Sequence, residues 1–186
     1  MKIRKINITP LLVPYAQPYY WSQGVTQGAE VLLIEIFGEN GSVGFGECLA
    51  TPTAKGVQAF VEEAAKCLIG QSVFDRERLM AVCYQSLFQF RGTGSAPRFG
   101  GQVLAGLEMA LWDLQGKALD RPVYELLGGA QRQYVEYFGF IQGSEPKDLA
   151  RDAVALVQQG HRTIYCKVGR GAELDREIVR HVREAV

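Results

Sequence analysis

An α+β unit that gives way to parallel βα units is the fold class this sequence predicts, on three observations. Strand-like runs bounded by turn residues fill the first 50 residues, and long apolar stripes at helical spacing fill the middle. Beyond Gly128-Gly129 strand-like and helix-like segments take turns, which is the mark of βα units around a parallel sheet.

Residues 2–13 alternate well enough for a strand, and Pro14 and Pro18 are expected to break its ladder, leaving an irregular segment over 14–27. Residues 29–37 read as a second strand, Glu39-Asn40-Gly41 as a turn and 42–47 as the returning partner. The three make an antiparallel meander. Helical periodicity starts at Val57, where Val57, Phe60, Val61, Ala64, Ala65 and Leu68 share a face until Gly70 ends the run. Asp75 is placed to cap a second helix carrying Leu79, Val82, Cys83 and Leu87. A loop rich in Gly and Pro is expected over 91–101, and then a third helix over about 103–119 with an apolar surface of Leu104, Leu107, Met109, Leu111, Trp112 and Leu114.

After the double glycine the pattern reads strand 134–141, helix 146–159, strand 163–168, helix 173–185. The chain thus divides into residues 1–129 and 130–186. A closed eight-stranded barrel takes about 250 residues, so the second part is expected to be an incomplete barrel.

Twenty basic residues balance twenty acidic ones, so no net field favours nucleic acid or anionic lipid, and a small neutral or anionic ligand is the expected partner. The N-terminus alternates charged and apolar residues and lacks the apolar run of a signal peptide; no stretch of about 18 apolar residues suggests a membrane span. A cytoplasmic location is expected. Cys48, Cys67, Cys83 and Cys166 form no CxxC pair and read as buried thiols, against a zinc site or a disulfide framework. His161 and His181 have no partner at metal-ligand or triad spacing.

Three segments stand out. The first is Gly106-Leu107-Glu108-Met109-Ala110-Leu111-Trp112-Asp113-Leu114-Gln115-Gly116-Lys117, followed by Leu126-Leu127-Gly128-Gly129. It describes a helix with small positions for close approach and one large aromatic anchor, expected to pack the two domains together. The second is Gly44-Phe45-Gly46-Glu47 at the end of the meander, and the third is Tyr165-Cys166-Lys167-Val168-Gly169. Together they resemble the mandelate racemase/muconate lactonizing enzyme group of the enolase superfamily. The resemblance implies an N-terminal capping domain over 1–129 and, over 130–186, the first two βα units of a truncated TIM (β/α) barrel.

It also implies a chemistry. Lys167 matches the family's second lysine, the one that transfers a proton, and Tyr165 stands where the family has its first. Strand alternation puts Tyr165 and Lys167 on one face and Cys166 on the other. A neutral tyrosine supplies a hydroxyl where a second ammonium would depress the base by repulsion, so desolvation and a nearby metal are left to lower a lysine from about 10.4. By resemblance a Mg2+ ion binds the carboxylate of a small substrate; its ligands are expected beyond the C-terminus of this chain, and no metal ligand is assigned here. Substrate selection in the family comes from capping-domain loops matching residues 14–27 and 48–55. Tyr15, Tyr19, Tyr20 and Trp21 suit a substrate with an apolar or flat part, or else pack on the meander or another subunit. Glu47 either touches substrate or is a structural carboxylate near the domain interface.

The implied function is metal-dependent abstraction of the proton α to a substrate carboxylate through an enediolate, as in a racemase or cycloisomerase. The alternatives are an acid-sugar or hydroxy-acid dehydratase of the same superfamily and, from another class, an inactive truncated chain acting as a folding or interaction module. The 186-residue chain alone is expected to be inactive. An open strand edge predicts a homo-oligomer.

Overall fold

Alternation at the N-terminus does build a strand, and it runs past the prolines. In this structure, a computed structural model that describes residues 1–89 and 97–186 (the side chains at 88, 89 and 97–99 excepted), β1 spans Ile3–Trp21. A turn at Ser22 and Gln23 leads into β2, Gly24–Gly38, and β3 follows as Val43–Leu49, in the sheet order β1-β2-β3. The break expected at Pro14 and the irregular segment over 14–27 are therefore absent. The reason lies in the order: β1 is an edge strand. Pro10, Pro14 and Pro18 are spaced by even numbers, so their missing N–H groups fall on one side of the strand, and the open edge requires no donor there.

Between β2 and β3 the ladder runs antiparallel from Val31 opposite Leu49 to Phe37 opposite Val43. Period-two alternation sends Leu32, Ile34 and Ile36 inward, where none has any exposure. Each such side chain contributes roughly 1.5–3 kcal/mol by leaving water. Helix α1 spans Ala54–Ala65, and its N-cap Thr53 accepts the Gly56 N–H at 3.2 Å. It ends short of Leu68, and Phe60 lies on its exposed side. Asp75 makes no cap bond to α2, Arg76–Tyr84; its carboxylate pairs with Arg78 at 2.9 Å. Ser72 caps instead, taking the Phe74 N–H at 3.3 Å into the single 3-10 turn Val73–Asp75. Val82 is exposed rather than in the core.

Helix α3 spans Pro97–Leu119. The expected loop therefore yields to helix at Pro97, a residue suited to a first turn, while its part over 91–96 lies outside the described residues. Met109, expected on the apolar face, is exposed. A short helix α4, Val123–Leu126, precedes Gly128 and Gly129, whose φ angles of 104° and 96° end it as the sequence suggests.

The contact of α3 with β3 explains two of the three segments. A Cβ on Gly44 would stand 2.1 Å from the Ala110 carbonyl oxygen, and one on Gly46 would stand 2.0 Å from that of Gly106. Strand and helix backbones touch, which only glycine permits. On another side of α3, Arg76 lies 4.0 Å from the centre of the Trp112 ring and pairs with Glu108. Asp113 accepts the Phe45 N–H at 2.8 Å. The segment packs α3 on β3 and α2: Gly106 and Ala110 face the meander, Gly116 lies against the Arg121 carbonyl and Trp112 faces an arginine.

The chain divides into two compact units, residues 1–13 with 30–131, and residues 14–29 with 132–186. In the second unit β4, Gly139–Phe140, runs parallel to β5, Ile164–Tyr165, with helices α5, Pro146–Gln158, and α6, Ala172–Ala185. Both strands are shorter than expected over 134–141 and 163–168, since a ladder extends only where a neighbour pairs, and each has a single neighbour. Ile141, Leu149, Ala153 and Ile178 form the core of this unit, with Ile164 and Cys166 against it. Among the described residues no helix is long and apolar enough to cross a membrane.

Candidate active site

Parallel pairing of β4 and β5 sets the register Gly139 opposite Ile164 and Phe140 opposite Tyr165. From it the two faces follow by alternation. Ile141, Ile164 and Cys166 turn to the helices. Phe138, Phe140 and Tyr165 turn the other way, with ring centres 5.1 Å apart for Phe138 and Tyr165 and 5.0 Å apart, edge to face, for Phe140 and Tyr165. Lys167 shares that second face, as the alternation of the strand predicts.

The far end of the β1–β2 hairpin belongs to the same unit. Its odd-numbered aromatic residues share a face: Tyr15 and Tyr19 lie 6.2 Å apart, Tyr19 and Trp21 6.5 Å, and Tyr19 meets Phe140 at 5.5 Å. The Lys167 Nζ stands 5.6 Å from the Tyr19 ring centre and 5.9 Å from that of Trp21. Five of the sequence-predicted residues, Tyr15, Tyr19, Trp21, Tyr165 and Lys167, are thereby brought together. Tyr20 has the opposite parity, and it joins through its backbone: its N–H donates to Gln142 Oε1 at 2.8 Å. Glu47 is exposed on β3 of the first unit, opposite Leu33 in the ladder.

The Tyr19 hydroxyl, accepting from the ammonium, is the largest influence and raises Lys167 above the ordinary lysine value; desolvation opposes it, and Tyr165 adds to the rise. The ammonium is the resting form at neutral pH. Burial pushes the Cys166 thiol up as well, and it raises Cys48 to about 11 and Cys83 to about 12, so these are inert packing thiols. Cys48 and Cys83 are buried, and Cys67 and Cys166 half-buried. His161 Nδ1 lies 3.0 Å from the Tyr137 carbonyl oxygen and His181 Nδ1 2.8 Å from that of Glu177.

The loops after β4 and β5 are braced. Gln142 donates its N–H to Asp152 at 2.8 Å. Arg170 reaches the Gly143 carbonyl at 3.3 Å and also that of Ser144, while Asp175 accepts the N–H groups of Gly169 at 2.8 Å and Arg170 at 3.1 Å. Sequence reasoning missed Phe138, Phe140 and Gln142. Period two could have found the phenylalanines once the register of β4 on β5 was known.

Around Lys167 stand rings, neutral hydroxyls and the ammonium itself, none of them the anionic oxygens that magnesium takes. Among the described residues no group of three or more His, Cys, Asp or Glu could hold a metal ion. The residues present do not fit a magnesium site.

A family model described as the mandelate racemase/muconate lactonizing enzyme N-terminal domain matches residues 3–128. The chain belongs to that family. Within the mandelate racemase/muconate lactonizing enzyme family it is similar to the L-Ala-D/L-Glu epimerase of Clostridium acetobutylicum, 30% identical over 189 residues that cover 100% of this chain and 51% of that protein. It is also similar to a D-galactonate dehydratase of Variovorax paradoxus, 34% identical over 129 residues, 69% of this chain and 32% of that one. A solved dipeptide epimerase from Enterococcus faecalis V583, complexed with Mg and the dipeptide L-Leu-L-Tyr, superposes with a TM-score of 0.85 at 28% identity, covering 100% of this chain and 51% of that one. The chain spans about half the length of the epimerases it matches. Its relatives in the family are isomerases and lyases.

Proposed function

We propose that the protein removes and returns the proton α to the carboxylate of a small substrate, in the manner of a racemase or epimerase, with Lys167 carrying the proton. The observation that carries this reading is the Lys167 ammonium, on the face of β5 opposite the helices and under the rings of Tyr19 and Trp21. An ammonium faced by rings attracts a carboxylate, and among the described residues no acid pairs with it. Because Lys167 rests protonated, it gives its proton readily and takes one only after losing its own. Its efficiency as a base therefore rises with pH, by about tenfold per unit below its pKa.

Kinship adds a divalent metal, as in the Mg-bound dipeptide epimerase, with ligands other than the residues described here. Such an ion would stabilise negative charge on the substrate carboxylate. Residues 1–129 serve in this reading as the capping domain and 130–186 as the first two βα units of a barrel. Tyr15, Tyr19, Trp21, Phe140 and Tyr165 offer flat apolar walls, which favour a substrate with an aromatic or aliphatic substituent. Similarity to D-galactonate dehydratases keeps a second reading, loss of water from an acid sugar, which begins with the same proton. A homo-oligomer is the expected assembly.

The test is incubation in D2O, on the protein with a complete barrel, of two sets of acids: dipeptides and N-acylated amino acids with apolar side chains, and polyhydroxylated sugar acids. Proton NMR is expected to show α-deuteration of the first set with the skeleton retained. Conversion of sugar acids to 2-keto-3-deoxy acids would establish the dehydratase, and no exchange in either set would leave the chain an interaction module.

A further inference from the structure

The even-numbered N–H groups of β1 face the open edge of the sheet, since Pro10, Pro14 and Pro18 must face that way. Two residues beyond the last proline, Tyr20 has the same parity. Its outward N–H is not left to solvent: it donates to the Gln142 side-chain oxygen, 122 residues away in sequence, at 2.8 Å. We infer that Gln142 is a positioning residue, which ties the hairpin end to the loop after β4 and so sets Tyr19 and Trp21 over Lys167.

Each link in that tie is fixed. The Gln142 backbone is held by Asp152 of α5 at 2.8 Å, and the two residues after it are held through their carbonyl groups by Arg170. Arg170 lies three residues beyond Lys167, and its loop is pinned by both oxygens of Asp175. The loop that carries the ammonium and the loop that carries the tie are therefore one braced body. Alternation does the rest: a strand anchored by the backbone of Tyr20 presents the side chains of Tyr19 and Trp21 to the same face, and Lys167 lies beneath both. The aromatic contact of Tyr19 with Phe140 follows from the same anchor.

The tie gives the hairpin end a closed position held by one hydrogen bond between neutral groups, weak enough to open and directional enough to define where the rings return. Its effect on turnover rests on the proposed role of Lys167; its existence does not. Hydrogen–deuterium exchange of the Tyr20 amide, read by NMR on this chain, tests it directly. Gln142→Ala is expected to speed that exchange at least about tenfold, while amides of α5 keep their rates. Gln142→Glu, which keeps an acceptor oxygen at the same reach, is expected to restore the slow rate. A Tyr20 amide that exchanges within about twofold of wild type in Gln142→Ala, or equally fast in the Ala and Glu variants, would overturn the inference. On the protein with a complete barrel, the Ala variant is expected to raise KM several-fold with kcat changed less than about twofold, because the tie positions binding groups and not the proton. A fall in kcat at constant KM would contradict the positioning role. Should the D2O experiment show no α-proton exchange at all, the Tyr20 amide still reports on the tie by itself.

Discussion

Two cations, one in each unit, are surrounded in opposite ways. Arg76 in the first unit lies against Trp112 and also holds Glu108 and Glu77, so its charge is answered within the fold. Lys167 in the second unit lies against Tyr19 and Trp21, and the groups acting on it are tyrosines. Aromatic contact is common to both, so it does not separate structure from function. The difference lies in the counter-charge: a cation already paired with carboxylates braces helices, whereas an ammonium faced by rings is open to an anion from outside. Glycine marks the same division. In the first unit Gly44 and Gly46 bring β3 onto α3, and the family signature is there a signature of packing.

The largest effect that bears on this contrast is expected from Gly46→Val, whose Cβ would meet the Gly106 carbonyl oxygen at 2.0 Å. Urea unfolding followed through Trp112, with Trp21 replaced by Phe so that the tryptophan signal reports on the first unit, should show a loss of at least about 3 kcal/mol. A loss below about 1 kcal/mol would mean that strand and helix separate cheaply, and the packing account of the signature would fail.

A smaller and more discriminating effect is expected from neutralising each cation. Arg76→Met keeps the stem but leaves Glu108 without its partner and Trp112 without a charge; the expected cost is about 1–3 kcal/mol. Lys167→Met is expected to leave the urea midpoint where it was, since no carboxylate among the described residues answers its charge. If the two substitutions cost the same, the division between a bracing and an available cation would be lost.

The architecture of the first unit was largely legible in the sequence. Alternation, turn residues and helical stripes are local signals, and they located the meander and the helices, while the small residues of the 106–117 segment foretold a close approach. The reach of β1 was not legible, because the cost of Pro14 and Pro18 depends on whether a strand lies at the centre or the edge of its sheet, and that is decided by partners far along the chain. At the site, the face shared by Tyr165 and Lys167 followed from alternation alone. Phe140 and Gln142 did not, since the first depends on the register of β4 against β5 and the second on a hydrogen bond between residues 122 apart. The approach of Tyr19 to the ammonium was not legible for a related reason: the hairpin brings the hydroxyl there, and no local pattern records it.

The most direct test of the central claim is the exchange of the substrate α proton in D2O catalysed by the Lys167→Ala variant of the protein with a complete barrel, run on each substrate enantiomer separately. Exchange should be abolished for the enantiomer whose proton faces Lys167, by at least about 1,000-fold, while the fold and the affinity for magnesium stay as in the wild type. Exchange of both enantiomers at wild-type rates would show that Lys167 carries no proton.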